Sequence, residues 1–501
     1  MESSVQSQRK NPKRATDASP PAITAPVRIA VMAFIAVLGL VICLWFYLYR
    51  KWPDFSEPTV PTPNVLPPLS EVLQNTRLMF QNYQEGYHRT ILGFALFGMM
   101  VASFLSFGKL MFDKITKNEC DLSLQTNLFE RISLYYLFGS VLMSVLWLGL
   151  GSVGVLNMSA GLVLGAAGSA LFCFYAKKGK WISKLKEKFI AWFTKYTVAE
   201  KVLTALIFLT LASLMTSAIR WQTYSDVYQI HLPLPSMYIQ NGKIIENPYS
   251  IYSYFPQNTE MLVMWALLLK SEVAAALLMW GFFGCLVLLI WGYLKRCTSN
   301  VVSLSTVLLC MSAPMITWFS TAIKNDLPTA LFILAHYFAL TEALNNRSSN
   351  TNNSKKWALL SGILCAGAVG HKLTALISAF FSILLLFGLE IYHHLKKSEI
   401  QSRTLPYYWL SGFLLFSTPW FLRAVILTGN PIYPFMENFF GGHLVKPWHT
   451  VAQVSSSFTK DGWTGLANYF KLLIGTFSEN GILSQPNWGP AFLFGLLGVT
   501  F

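Results

Sequence analysis

The sequence is poor in charge. Only 12% of its 501 residues are Asp, Glu, Lys or Arg, against about 25% in an ordinary soluble domain. It carries no GxxxxGK[ST] run, and no soluble nucleotide-binding domain is read from it. Cysteine is scarce too. Cys43, Cys173, Cys285, Cys310 and Cys365 fall inside apolar runs, while Cys120 and Cys297 fall in loops with basic neighbours. The two longest polar loops after residue 200 hold none, so no disulfide framework is implied there. No pair has zinc-ligand spacing. The apolar runs do not alternate, which excludes a barrel.

What is present is apolar length. Hydrophobic residues make up 53% of the chain, and runs of about 20 of them recur, each long enough to cross a bilayer as a helix. The expected fold is an all-α, polytopic transmembrane helical bundle of about 11–13 spans. Expected spans are 29–49, 91–108, 132–150, 153–175, 201–219, 273–294, 301–319, 326–343, 357–370, 373–391 and 405–428. A last apolar stretch begins near Pro490 and stops at Phe501 without a closing loop. It reads as the edge of a fragment or as a short final helix.

The net charge of +15 does not form a nucleic-acid face. Its lysines and arginines cluster in short loops, the positive-inside pattern of membrane proteins. The clearest cluster is Lys177, Lys178, Lys180, Lys184, Lys186, Lys188 and Lys195. Interleaved with Trp181, Ile182, Leu185 and Phe189, it reads either as an amphipathic helix on the inner leaflet or as a basic surface loop. Residues 1–28 read as a disordered cytoplasmic tail, 29–200 as an N-terminal transmembrane bundle with that basic segment, and 201–501 as a second transmembrane region. The second region has outer loops at 220–257 and 429–487. The short run from Glu260 to Lys270 reads as a juxtamembrane helix along the interface, too short to cross.

Counting spans puts four charged places on one side. They are Asp226 with His231 and Glu260, Lys324 with Asp326, His371 with Lys372, and Arg423. Each has an ordinary explanation. A lone cation at a helix end can snorkel, Asp326 can cap a helix that carries Pro328 in its first turn, and Glu260 suits a helix N-terminus. His336, inside an apolar run, reads as a packed core residue. Together, carboxylates and cations on one face suit a lipid-phosphate reaction. Lys324, Lys372 or Arg423 would neutralise a phosphate leaving group, Asp226 would accept a proton from the incoming group, and His231 would orient the acid or contact phosphate. Glu260 and Asp326 are candidates for a divalent ion, which their spacing alone does not establish.

At these residues the chain resembles the polytopic GT-C glycosyltransferases, the superfamily of protein O-mannosyltransferases and lipid A aminoarabinose transferases. The elements are Asp226 with Ile230-His231-Leu232-Pro233, Tyr254-Phe255-Pro256-Gln257, Glu260-Met261-Leu262, Lys324-Asn325-Asp326-Leu327-Pro328, Gly370-His371-Lys372, Thr418-Pro419-Trp420-Phe421-Leu422-Arg423 and Gly429-Asn430-Pro431-Ile432-Tyr433-Pro434. They fall between about residues 200 and 440, and their order carries more than any one motif. The resemblance implies a GT-C-like fold and a polyprenyl-phosphate-sugar donor. It also implies inverting transfer on the outer face of a bacterial inner membrane, and Asp226 as the catalytic aspartate. The acceptor stays open among lipid, glycan and protein. Three alternatives stand beside this expectation. One is a lipid-linked glycan ligase or polymerase, and another is a non-catalytic membrane scaffold with Asp226 merely solvated. The third is a transporter, which would carry its charges near the bilayer midplane at broken helices.

Overall fold

The computed structural model describes residues 69–116, 126–179, 194–220, 226–248, 250–347, 351–395 and 404–440, with single positions between 183 and 190 and side chains from His88 onward. The chain divides into two units, Met1–Val65 and Leu66–Phe501. The expected tail, the expected span at 29–49, most of the 180–193 segment and everything after 440 lie outside the described residues. The architecture below is that of the second unit.

Every described regular element is a helix. They are α1 (Leu69–Thr116), α2 (Leu128–Ser152), α3 (Met158–Lys178), α4 (Val198–Ala218), α5 (Pro233–Asn241), α6 (Asn258–Leu268), α7 (Glu272–Cys297), α8 (Asn300–Met311), α9 (Pro314–Thr321), α10 (Asp326–Asn345), α11 (Thr351–His371), α12 (Leu376–Leu395), α13 (Leu405–Thr428) and α14 (Glu437–Phe440). Among the described residues, eight stretches are long and apolar enough to cross a membrane. The chain is therefore a multi-pass membrane protein with a helical bundle fold.

Two expected spans take another form. The run at 301–319 is broken into α8 and α9, because Pro314 opens a new helix and cannot supply the N–H that would continue the old one. The run at 357–370 is part of α11, whose Lys355, Lys356 and flanking Asn and Ser keep it outside the eight. It is nonetheless buried along almost its whole length, packed against α10 and α13. α3, α4 and α12 leave most of their apolar residues exposed, as expected of a lipid-facing rim.

Close helix crossings hold the bundle. A Cβ on Gly108 would fall 1.7 Å from the Tyr135 carbonyl oxygen, and one on Gly139 would fall 1.9 Å from that of Phe104. Only glycine lets α1 and α2 approach so closely. Gly362 and Gly412 serve α11 and α13 in the same way, at 2.0 Å from Trp409 O and 2.2 Å from Leu359 O. His336 is a core residue, with Nδ1 2.8 Å from Ser361 Oγ and Nε2 2.7 Å from Ser382 Oγ.

A run matching GxGxxG in letters occurs at Gly149-Leu150-Gly151-Ser152-Val153-Gly154. It closes α2 and turns through Gly154 (φ 82°) into α3, whose cap is Asn157. A dinucleotide site needs a strand before the glycines and a helix N-terminus after them, so this run is a turn.

One end of the bundle is fastened by ions. Arg296 at the end of α7 donates to Glu130 Oε1 on α2 (3.1 Å) and to Glu342 on α10. Arg347 donates to Glu390 on α12 at 2.6 Å. Glu342 follows Asp326 by about four and a half turns on α10, roughly 24 Å along the axis at 1.5 Å per residue. The charged residues treated next sit at the opposite end.

Candidate functional site

A cavity of about 280 Å³ opens at that opposite end, at the small end of the range for ligand sites. Its walls include Asp226, His231, Glu260, Asp326, His371 and Lys372, six residues from four separate elements. Phe435, from the segment after α13, also lines it.

The first wall comes from an irregular turn. After Asp226 the backbone widens into a π-helical turn over Val227–His231, with the Leu232 N–H donating to Val227 O at 3.0 Å. Such turns often mark functional sites. Pro233 then opens α5, where its missing N–H costs nothing. The wide turn buries Val227, Ile230 and His231 and leaves Tyr228 and Gln229 exposed.

The second wall is the start of α6. Asn258 is its anchor: Trp420 Nε1 of α13 donates to Asn258 Oδ1 (2.8 Å), Asn258 Nδ2 donates to Gly367 O of α11 (3.3 Å), and Ser144 Oγ of α2 donates to Asn258 O (3.1 Å). A Cβ on Gly370 would fall 2.1 Å from Asn258 Nδ2, so this glycine is required by the close approach of α6 and α11. α6, too short to cross, is packed inside the protein rather than on its surface. Residues Asn258 to Ala266 are buried, because α2, α5, α7 and α11 surround the helix and supply partners for its polar first turn.

Charges are matched across the cavity. Lys324 Nζ lies 2.6 Å from Asp226 Oδ2 and 4.8 Å from the centre of the Trp318 ring. Lys372 Nζ lies 2.6 Å from Asp326 Oδ1. Glu260 has no lysine; its Oε1 lies 2.7 Å from His231 Nδ1, and both side chains are buried. Among the described residues, the buried Glu260 Oε2 has no hydrogen-bond partner. His371 is held by Thr259 Oγ1 at its Nδ1 (2.7 Å), and its carbonyl accepts from Asn325 Nδ2 (3.0 Å). Its buried Nε2 likewise has no partner among them.

The sequence-derived residues therefore separate into groups. Asp226, His231, Glu260, Asp326, His371 and Lys372 line the cavity. Lys324 lies behind Asp226 and holds its carboxylate rather than lining the space itself. Arg423 is not among the lining residues. Among the described residues both of its buried terminal nitrogens have no hydrogen-bond partner, and it lies within electrostatic reach of Tyr238, Glu246 and Tyr254. Tyr254 donates to Glu246 Oε1 at 2.5 Å; burial and that carboxylate push its phenol above the ordinary tyrosine range. Among the described residues no group of three or more His, Cys, Asp or Glu side chains could hold a metal ion.

Asn258 and Thr259 are residues that sequence reasoning passed over, and Gln257 entered it only as a letter of a motif, with no role. Gln257 accepts from the Tyr238 hydroxyl at 3.0 Å and donates to Tyr252 O at 2.8 Å, stiffening one wall. Their signal was a polar run, Gln257-Asn258-Thr259-Glu260, opening an otherwise apolar helix.

Residues 251–467 match a family described as a domain of unknown function, DUF8201. That span holds Glu260, Lys324, Asp326, His371, Lys372 and Arg423 and begins after Asp226 and His231. No curated protein and no solved structure matches the chain.

Proposed function

We propose that the protein is an integral-membrane glycosyltransferase that moves a sugar from a polyprenyl-phosphate donor to an acceptor in this cavity. One observation carries the reading. Carboxylates, histidines and a lysine from turns far apart in sequence line a single cavity at one end of a multi-pass bundle, where unused charge is costly. The basic loops support reading that end as the outer side, and the GT-C resemblance supplies both the donor class and the bacterial inner membrane.

The roles follow from the pairing. Lys372 lines the cavity with its side chain 40% exposed, so it is the cation a lipid phosphate reaches first. As the sugar–phosphate bond breaks, charge grows on the phosphate, and a fixed ammonium lowers that cost. Asp326 holds Lys372 in place until the phosphate arrives. Asp226, half-exposed and held by Lys324, presents a fixed negative charge where positive charge develops on the sugar.

A transfer assay with a panel of polyprenyl-phosphate monosaccharides tests the reading. Wild type in lipid nanodiscs transfers one of them, and Asp226→Asn, expressed and folded, does not. Full activity in Asp226→Asn removes that residue from the mechanism; no transfer by wild type removes the function.

A further inference from the structure

The charge pairing leaves one carboxylate over. Asp226 and Asp326 each face a lysine at 2.6 Å, whereas the acid buried most deeply in the cavity wall, Glu260, faces only His231. Its second oxygen has no hydrogen-bond partner among the described residues. A buried carboxylate in that state gains strongly from a full positive charge beside it, and His231 supplies one when it takes up a proton.

The imidazole is set for that. Glu260 Oε1 engages Nδ1 at 2.7 Å, and a carboxylate only accepts, so Nδ1 carries the hydrogen. The lone pair is then on Nε2, for which no hydrogen bond occurs among the described residues. His231 lines the cavity. Asp226 is differently placed: a proton added to it would weaken the Lys324 contact, so the ion pair opposes the step a base must take.

Building on the glycosyl-transfer reading, we infer that His231 Nε2, oriented by Glu260, is the proton acceptor for the incoming hydroxyl of the acceptor molecule. In the step, the acceptor oxygen bonds to the anomeric carbon while its O–H bond breaks and the proton goes to Nε2. The carbon–oxygen bond to phosphate breaks at the same time, and its electron pair leaves with the phosphate. Glu260 stays ionised and stabilises the imidazolium, acting as a positioning residue. The proton later passes to solvent. The acceptor class is thus a neutral hydroxyl compound, one that needs deprotonation to attack.

Chemical labelling of His231 with diethyl pyrocarbonate, read by mass spectrometry on the full chain in nanodiscs, tests this together with kinetics. The reagent attacks an unprotonated ring nitrogen. His231 is expected to label alongside exposed His394, while buried His336 does not. In Glu260→Gln the amide N–H faces Nδ1 and moves the hydrogen to Nε2, so labelling slows several-fold; Glu260→Asp restores much of it. His231→Gln lowers kcat on the order of 10²- to 10⁴-fold with donor KM little changed. Unlabelled His231 beside labelled His394, or full transfer by His231→Gln, overturns the inference. If wild type transfers no sugar, the glycosyl-transfer reading fails separately. Labelling at His231 that depends on Glu260 then still upholds the oriented imidazole, and labelling that ignores Glu260 overturns it.

Discussion

Lys324 Nζ and Asp226 Oδ2 lie 2.6 Å apart across 98 positions of sequence. The pair ties the π-helical turn to the loop between α9 and α10, and the Trp318 ring packs over the same ammonium. Lys324 is largely buried while Asp226 is half-exposed. The two residues are therefore unequal: loss of the acid strands a buried cation, whereas loss of the lysine leaves an acid that water can reach.

Asp226→Asn should accordingly destabilise the fold more than Lys324→Met. About 1–3 kcal/mol is expected for the first, below the range for breaking a fully buried pair because of solvent at Asp226. The second should cost under about 1 kcal/mol. Thermal unfolding of both variants in the same detergent gives the order directly, and the reverse order would mean that the acid is the more deeply held partner.

The Arg296 cluster at the other end predicts a larger effect. Glu130 and Glu342 are both buried and both accept from this one guanidinium. Arg296→Met leaves two carboxylates unpaired and should cost about 3–5 kcal/mol. Adding Glu130→Gln and Glu342→Gln to the same chain should recover most of that loss. A triple variant no more stable than the single one would show that the arginine matters through packing instead.

Arg423 should behave in the opposite way. Among the described residues its terminal nitrogens make no hydrogen bonds, so Arg423→Met removes an under-satisfied cation and keeps the volume. The unfolding temperature is expected to hold or rise. A drop as large as that of Arg296→Met would reveal a partner for the guanidinium that this geometry lacks.

Gly370→Ala tests the seam behind the cavity. The added methyl would lie 2.1 Å from Asn258 Nδ2, displacing the amide that joins α6 to α11 and α13. Overpacking of this kind costs about 1–3 kcal/mol. Lys372, two residues on, should shift with it. Loss of donor binding out of proportion to loss of stability is the expected signature, measured by binding and unfolding on one preparation.

Much of the bundle was legible in the sequence, and the reasons are specific. Runs such as 272–297 and 405–428 are long and apolar enough that only a crossing helix suits them. The 301–319 run was read as continuous although Pro314 marked the break. The eleven residues of α6 are too few to cross; what buries them is packing against helices distant in sequence, which a local window does not see. The cavity residues were visible as charges at helix ends. Their partners were not, since the letters of Asp226 and Lys324 give sign but not distance. Arg423 shows the same limit from the other side, as it shares the motif's order but not its cavity.

The most direct test of the central claim is mass spectrometry of lipid that copurifies with the protein. A polyprenyl phosphate, bare or bearing a sugar, should accompany wild type in mild detergent and be largely lost from Lys372→Ala, which removes the cavity's exposed cation. Copurification of ordinary phospholipids alone, or retention of a polyprenyl phosphate unchanged in Lys372→Ala, would contradict a donor seated in this cavity.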